Sequence, residues 1–247
     1  MTALAWEGCL NVRDLGGLPT EDGRRTRDGS VIRSDNIRRL TDAGWRSLAA
    51  HGVERIVDLR FPEELADDPP RDVDLDVVHV SVLGPGLDLD YVAELDAHLL
   101  SVEDVTDHYA WSYVDFLERF RERFGLALTA VADADGTVVV HCVGGKDRTG
   151  LVAALLLRLA RVSRETIGED YALSAGNLAP NLKLWIEEAD DEQEREKRLK
   201  LSGTPAAGMI RTIEEVERRY GGVAEYLRAA GLSEAQIARL RERLVAP

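Results

Sequence analysis

The sequence predicts an α/β fold with a mostly parallel central sheet flanked by helices and a helical lid or extension in the C-terminal half. Three observations predict it. Short β-branched runs alternate with helical apolar spacing as far as residue 160, the pattern of strands covered on both faces. The run "TGLVAALLLRLA" (149–160) is apolar nearly all round, which marks a helix enclosed within a domain. From about residue 163 onward only helical periods remain.

Each element follows in order. "SVIRSD" (30–35) is a short strand running into a polar turn, and "TDAGWRSLAAHG" (41–52) is a helix capped by Thr41 or Asp42 and ended by Gly52. "VERIVDLR" (53–60) is a strand that stops before Pro62, and "DVVHVSV" (76–82) is another, closed by "GPG". Helical spacing covers 89–100 and then about 106–132, the latter through Tyr109, Tyr113, Phe116, Leu117, Phe120 and Phe124. "TVVVHC" (137–142) is a buried strand rich in β-branched residues.

The charge run "IEEADDEQEREKRLK" (186–200) is a solvated helix face, with a lid over a site as the alternative. "TPAAGMIRTIEEVERRYGG" (204–222) begins near Pro205, ends at paired glycines and buries Met209, Ile213, Val216 and Tyr220. The last helix opens with a capping box, Ser233 to Gln236, and carries Ile237, Leu240 and Leu244 on one stripe.

Composition narrows the function. With 247 residues and 45% apolar content the chain can bury a substantial core. A formal charge of −14 argues against a nucleic-acid face, since phosphate backbones demand a basic surface. It leaves room for one locally positive pocket. No apolar run approaches a membrane span, and no secretory signal opens the chain, so a cytoplasmic location is the default and export by a non-standard route stays open. Two cysteines, Cys9 and Cys142, make no disulfide framework, and the five histidines show no metal-ligand spacing. No metal is expected.

The chemistry concentrates in "HCVGGKDRTG" (141–150), placed between a buried strand and a buried helix. Ligands of parallel sheets bind at the carboxyl ends of strands, and this loop occupies one. Gly144 and Gly145 allow a tight turn whose successive N–H groups, from Val143 through Gly144, Gly145, Lys146, Asp147 and Arg148, aim at one centre as an anion nest. The helix beginning near Arg148 adds its positive end. Arg148 supplies a planar fork for two phosphoryl oxygens. Such surroundings favour the thiolate form of a cysteine, so Cys142 is the expected nucleophile, attacking a phosphate ester in line. Thr149 is placed to donate to that sulfur or to the leaving group, and His141 to orient the loop.

Cys-x5-Arg-Thr-Gly with a preceding His resembles the cysteine-dependent tyrosine and dual-specificity phosphatases. The fuller set is similar to a bacterial tyrosine-phosphatase branch that also attacks phosphoinositides. Its matching pieces are "NVRDLGGLPTEDGRRTRDGSVIRSDNIRRLT" (11–41), "IVDLRFPEE" (56–64), "HCVGGKDRTG" (141–150), "DYALS" (170–174) and "YGGVAEYLRAAGLSEAQIARL" (220–240). The resemblance implies a phosphotyrosine-phosphatase-like fold, no cofactor, a phosphate or other oxyanion in the loop, and phosphotyrosine proteins or phosphoinositides as substrates. It also implies one phosphatase domain over 1–247, with a sheet core to about 160 and a helical lid and C-terminal helices beyond.

Expelling an alcohol calls for a proton donor. The Trp-Pro-Asp tripeptide of better-known tyrosine phosphatases is absent. Asp147, an Asp that the resembling branch also keeps in its loop, is the first candidate and Asp58, at the end of "VDLR", the second; for each the alternative is a structural carboxylate, in the case of Asp58 paired with Arg60 or a loop N–H. Arg33 and Asp35 are expected to stabilise a turn. Lys146 is expected as an exposed loop cation able to meet a second phosphate on an inositol ring. The alternatives from other classes are a catalytically silent phosphate-binding module and a sulfur-transferase-like loop.

Overall fold

A computed structural model describes residues 2–245. Six strands form one sheet in the order β1-β2-β3-β6-β4-β5: β1 (Thr2–Ala3), β2 (Arg13–Asp14), β3 (Val31–Ser34), β4 (Val53–Asp58), β5 (Asp76–His79) and β6 (Thr137–His141). The four longer strands are parallel, and the two-residue strands β1 and β2 extend the β3 edge antiparallel. The parallel α/β expectation is met. The short edge pair had no sequence signal, because two residues are too few for a period.

Side-chain alternation places a layer on each face. Val31, Val57, Val138 and Val140 join a large cluster with most of the helices. Ile32, Ile56 and Val139 point the other way, onto Trp6, Ile37 and Leu48. The first face is covered by α4 (Val105–Arg119), α5 (Arg121–Ala132), α6 (Asp147–Leu159), α9 (Ala206–Tyr220), α10 (Val223–Ala229) and α11 (Glu234–Leu244); the second carries α1 (Asp42–Ala50). Helix α6 buries every position from Thr149 to Leu159 except Arg158, as its all-round apolar sequence requires.

Two boundaries differ from expectation. The stretch 106–132 is two helices, broken at Phe120, whose backbone leaves the helical region at φ −112°, ψ 24°. Its ring packs edge-on against Tyr91, so tertiary packing overrides a period that runs through the break. Pro62, read as a stop, also begins a short helix, α2 (Pro62–Asp67), as proline does at a first helical position.

Three elements enclose the space above the carboxyl ends of the parallel strands: α3 (Leu89–Ser101), the end of α7 (Arg164–Glu187) and α8 (Glu192–Ser202). Within α7, Pro180 has no N–H for the carbonyl four residues back. Helix α8 buries no residue completely and is tied down by charge: Lys197 reaches Asp96 of α3 at 3.0 Å, and Arg198 donates to the Trp185 carbonyl of α7 at 2.5 Å. Among the described residues no helix is long and apolar enough to cross a membrane.

Candidate active site

The registers Ser34↔His141 and Asp58↔His141 bring the ends of β3, β6 and β4 level, and the loop 142–146 leaves β6 there to enter α6. Cys142, 2% exposed, is the first residue of that loop. None of the backbone N–H groups from Val143 to Arg148 donates to a protein acceptor among the described residues. Those of Asp147 and Arg148 are the open donors that every helix start leaves, and Val143 to Lys146 extend the row back along the loop.

The reason they stay free is that the loop's carbonyls are fastened elsewhere. The Val143 carbonyl accepts from the Asn36 N–H at 2.9 Å. Asn11 Nδ2 donates to the carbonyls of Gly144 and Gly145, both at 3.1 Å, and Arg33 Nη2 donates to Gly145 at 2.6 Å. Gly145 holds φ +62°, and a Cβ there would sit 2.4 Å from the Ser34 carbonyl oxygen, so only glycine fits.

These fasteners are themselves braced. Asp170 of α7 bridges two buried guanidiniums, accepting from Arg13 Nε at 2.6 Å and from Arg33 Nη1. Burial alone would raise its pKa, yet Arg33 and Arg13 hold the carboxyl below the usual carboxylate range. Asp35 accepts from the N–H groups of Leu10 and Asn11, the latter at 2.9 Å. "NVRDLGG", "RSDN" and "DYALS" therefore form one scaffold beneath the loop. Arg33 and Asp35, expected to stabilise a turn, act at long range instead, Arg33 on Asp170 and the Gly145 carbonyl and Asp35 on the N–H groups of Leu10 and Asn11, and the roles of Asn11, Arg13, Asn36 and Asp170 carried no signal beyond their place in those pieces.

Arg148 lies in the first turn of α6 and forks onto Glu64 of α2, with Nη1 to Oε2 at 2.5 Å and Nη2 to Oε1 at 2.8 Å. Burial would lower the Arg148 pKa, but the charges of Cys142 and Glu64 raise it above its ordinary value. Glu64 also accepts from the Phe61 N–H at 2.6 Å, and the Arg148 guanidinium stands over the Phe61 ring at 5.2 Å. Glu64 escaped the sequence reading because it is 84 residues away and sits in an unanticipated helix. Hydrogen bonds to charged groups contribute about 1.5–3 kcal/mol, so Glu64→Gln is expected to lower the melting temperature by several degrees, at about 2–4 °C per kcal/mol, and, by loosening the Arg148 guanidinium, to lower kcat/KM on an aryl phosphate by roughly tenfold or more. Steady-state kinetics beside a thermal melt checks both.

Asp147 faces the cleft, and its Oδ1 accepts from the buried Tyr113 hydroxyl. That hydroxyl lies 2.6 Å from the Tyr171 hydroxyl. A phenol has one proton to give, so Tyr171 donates to Tyr113 and Tyr113 to Asp147, which fixes the carboxylate's direction. Thr149 Oγ1 is buried without a partner, one helical position after Arg148. His141 is fully enclosed; burial lowers its pKa, and its Nδ1 lies 3.2 Å from the Cys142 carbonyl oxygen.

Two candidates are corrected. Asp58 is not in the cleft. Its carboxylate is locked by Arg60, with Nη2 to Oδ2 at 2.7 Å and Nε to Oδ1 at 3.0 Å, in a separate small cavity behind the loop beside His141 and Ile56. The spacing Asp-x-Arg closes that pair locally and removes Asp58 from proton transfer. Lys146 is not exposed. It is 8% accessible, and its ammonium reaches Tyr109 Oη at 3.0 Å and the carbonyls of Leu201 and Gly203, with Asp147 Oδ1 at 3.5 Å. Cys9 and Cys142 are both free thiols, and burial pushes the Cys9 thiol up to about 12, leaving it inert. No group of three or more potential metal ligands occurs among the described residues.

The cleft above the loop has a volume of about 370 Å³ and is bounded by Gly144, Lys146, Asp147 and Arg148 below, with apolar side chains of α3, α4, α7 and α8 around them. A parallel strand that delivers a cysteine to a cradle of free amides at a helix start, beside a buried arginine, defines an enzyme that removes phosphate from its esters. The chain belongs to the tyrosine phosphatase family, whose model matches residues 4–246. It is 32% identical over 225 residues to a tyrosine-protein phosphatase of Nostoc commune, spanning 87% of this chain and 74% of that one. It is 29% identical, over a 270-residue alignment, to the triple specificity protein phosphatase PtpB of Mycobacterium tuberculosis, spanning 95% and 96% of the two chains.

Proposed function

We propose that this phosphatase cleaves phosphotyrosine-type monoesters through a phosphocysteine intermediate, with Cys142 as nucleophile, Arg148 and the amides of residues 143–148 as the oxyanion cradle, and Asp147 as acid and base. One observation carries the reading. The row of N–H groups without a protein acceptor starts directly after the buried Cys142 and runs past Arg148 to Thr149, the Gly150 N–H being the first to bond, to the Lys146 carbonyl.

The Cys142 thiolate attacks phosphorus, the P–O bond to the leaving alcohol breaks, and Asp147 passes its proton to that oxygen. Water then attacks phosphorus and gives a proton to the Asp147 carboxylate as the P–S bond breaks, releasing phosphate and restoring the thiolate. Through both steps the equatorial oxygens stay on donors that need no rearrangement, the source of most catalysis in such transfers. Thr149 is placed to donate to the departing sulfur. The core cluster beneath the loop runs from Leu15 to Val245, which supports the chain acting as one phosphatase domain.

Rapid acid quench during turnover of an aryl phosphate, followed by peptide mapping, is expected to find the phosphoryl group on the Cys142 peptide. A phosphoryl group on another side chain, or none during a pre-steady-state burst, overturns the mechanism. Asp147→Asn tests the acid. General acid catalysis contributes about 10²–10⁴-fold, so the loss is expected near the upper end for alkyl phosphates and near the lower for esters of acidic phenols, which leave unaided. Equal losses for both leaving groups would remove Asp147 from proton transfer.

A further inference from the structure

We propose that Tyr113 is a positioning residue for proton transfer: its hydroxyl, backed by that of Tyr171 and flanked by the Lys146 ammonium, occupies Oδ1 of Asp147 and leaves Oδ2 as the oxygen that exchanges protons. The proposal rests on the reading of Asp147 as acid and base, and names what makes that carboxyl competent.

The direction of the hydrogen bonds carries it. Tyr113 of α4 and Tyr171 of α7 are each 1% exposed. Burial, with the Asp147 charge behind it, pushes both phenols well above their ordinary pKa, so both keep their protons. Among the described residues Tyr171 Oη meets only Tyr113 Oη, at 2.6 Å. Its proton therefore goes to Tyr113, and the Tyr113 proton goes to Asp147 Oδ1. A run in the opposite sense, outward from a protonated Oδ1, would leave the last hydroxyl buried without an acceptor. It would also aim the ammonium of Lys146, whose Nζ lies 3.5 Å from Oδ1, at an oxygen already carrying a proton.

Lys146 is fixed in that place. Tyr109 Oη at 3.0 Å, the Leu201 carbonyl at 2.5 Å and the Gly203 carbonyl at 3.3 Å hold its ammonium. Oδ1 is thus claimed in both protonation states, since the carbonyl oxygen of a protonated carboxyl still accepts. Oδ2 has no hydrogen-bond partner among the described residues, and the Asp147 side chain is 41% exposed on the wall of the cleft. In the first step the Oδ2 proton passes to the leaving oxygen as the P–O bond breaks. In the second, Oδ2 takes a proton from the water that attacks phosphorus. Tyr113 gives up no proton in either. Without its hydroxyl the carboxyl turns freely about χ2, a broad torsion in aspartate, and its acidic oxygen leaves the line of the departing group.

The test compares Tyr113→Phe with the wild type on an alkyl phosphate and on nitrophenyl phosphate. A misplaced acid is expected to cost about tenfold or more in kcat on the alkyl ester. On the nitrophenyl ester, whose leaving group departs unaided, the loss is expected below about threefold. KM is expected to move by less than about threefold on either, the cradle being untouched. Placed in Asp147→Asn, Tyr113→Phe is expected to add no further selective loss, because the two residues act as a unit. Losses of equal size on both esters, or a selective loss that persists in full in the Asp147→Asn background, overturn the proposal. Tyr171→Phe is expected to show the same selectivity at smaller size, and decides the matter should Tyr113→Phe fail to fold. Asp147→Asn measured alone separates the two ways of failing. Equal losses there overturn the acid–base reading, whereas selective losses there beside equal losses in Tyr113→Phe overturn the positioning role alone.

Discussion

Cys142→Ser is expected to abolish hydrolysis of aryl phosphates, by at least about 10⁴-fold, while leaving the protein folded and able to bind a phosphotyrosine peptide. Removing the nucleophile of an enzyme whose groups act as a unit costs as much as about 10⁶ in kcat. A serine hydroxyl stays protonated at neutral pH, and Asp147, the acid–base group of the cleft, holds its own proton for the leaving group in that step. The one histidine adjacent in sequence, His141, sends its Nδ1 toward the Cys142 carbonyl and its Nε2 toward Asp58, on the far side of the loop. The substitution is nearly isosteric, and the amides of 143–148 and the Arg148 fork are untouched, so affinity for the phosphopeptide is expected within about threefold of the wild type. Calorimetric titration beside a sensitive turnover assay checks both halves. Turnover within tenfold of the wild type would rule Cys142 out as the attacking group.

Asp170→Asn carries the second large effect, this time on stability. Asp170 is the sole carboxylate between Arg13 and Arg33, and all three are within 2% of full burial. Breaking a buried ion pair by removing one partner costs about 3–5 kcal/mol. At this size about 2–4 °C of Tm goes with each kcal/mol, so the melting temperature is expected to fall by roughly 10 °C. Activity should fall further than stability alone explains, since Arg33 also fixes the Gly145 carbonyl. The same residue gives the acid dependence its sign. Its folded-state pKa lies below the unfolded value, near 3.9 for an aspartate. Between the two the unfolded chain binds more protons, so this stabilisation is present above about pH 4 and is lost as pH falls through the folded value. Acid titrations of stability are expected to be shallower below pH 4 in Asp170→Asn than in the wild type. Parallel curves would show that Asp170 does not contribute in this way.

What the sequence disclosed follows from the range of each interaction. Cys142, Gly144, Gly145 and Arg148 lie within one loop, so their spacing and the flanking apolar runs were enough to place them at a strand end and a helix start. Lys146 shares that loop and was misread, because its acceptors lie on Tyr109 and on 201–203, which no local pattern connects to it. Glu64 and Asp170 were hidden for the same reason: each pairs with an arginine more than 80 residues away. Asp58 takes the structural alternative open to it: its strand-end position was legible, and so was the arginine two residues on that captures it. The merged reading of 106–132 shows the limit of periodicity itself, which records which face is apolar and not where the axis turns.

Asn11, Arg33 and Asn36 grip the loop's carbonyls from outside the cleft, so the shape of the anion seat is decided before any guest arrives. Tetrahedral oxyanions of similar size, whether product or mimic, should then dock with scant distinction between them. Discernment among natural guests falls to the helical walls, and those walls can be remodelled without disturbing the seat.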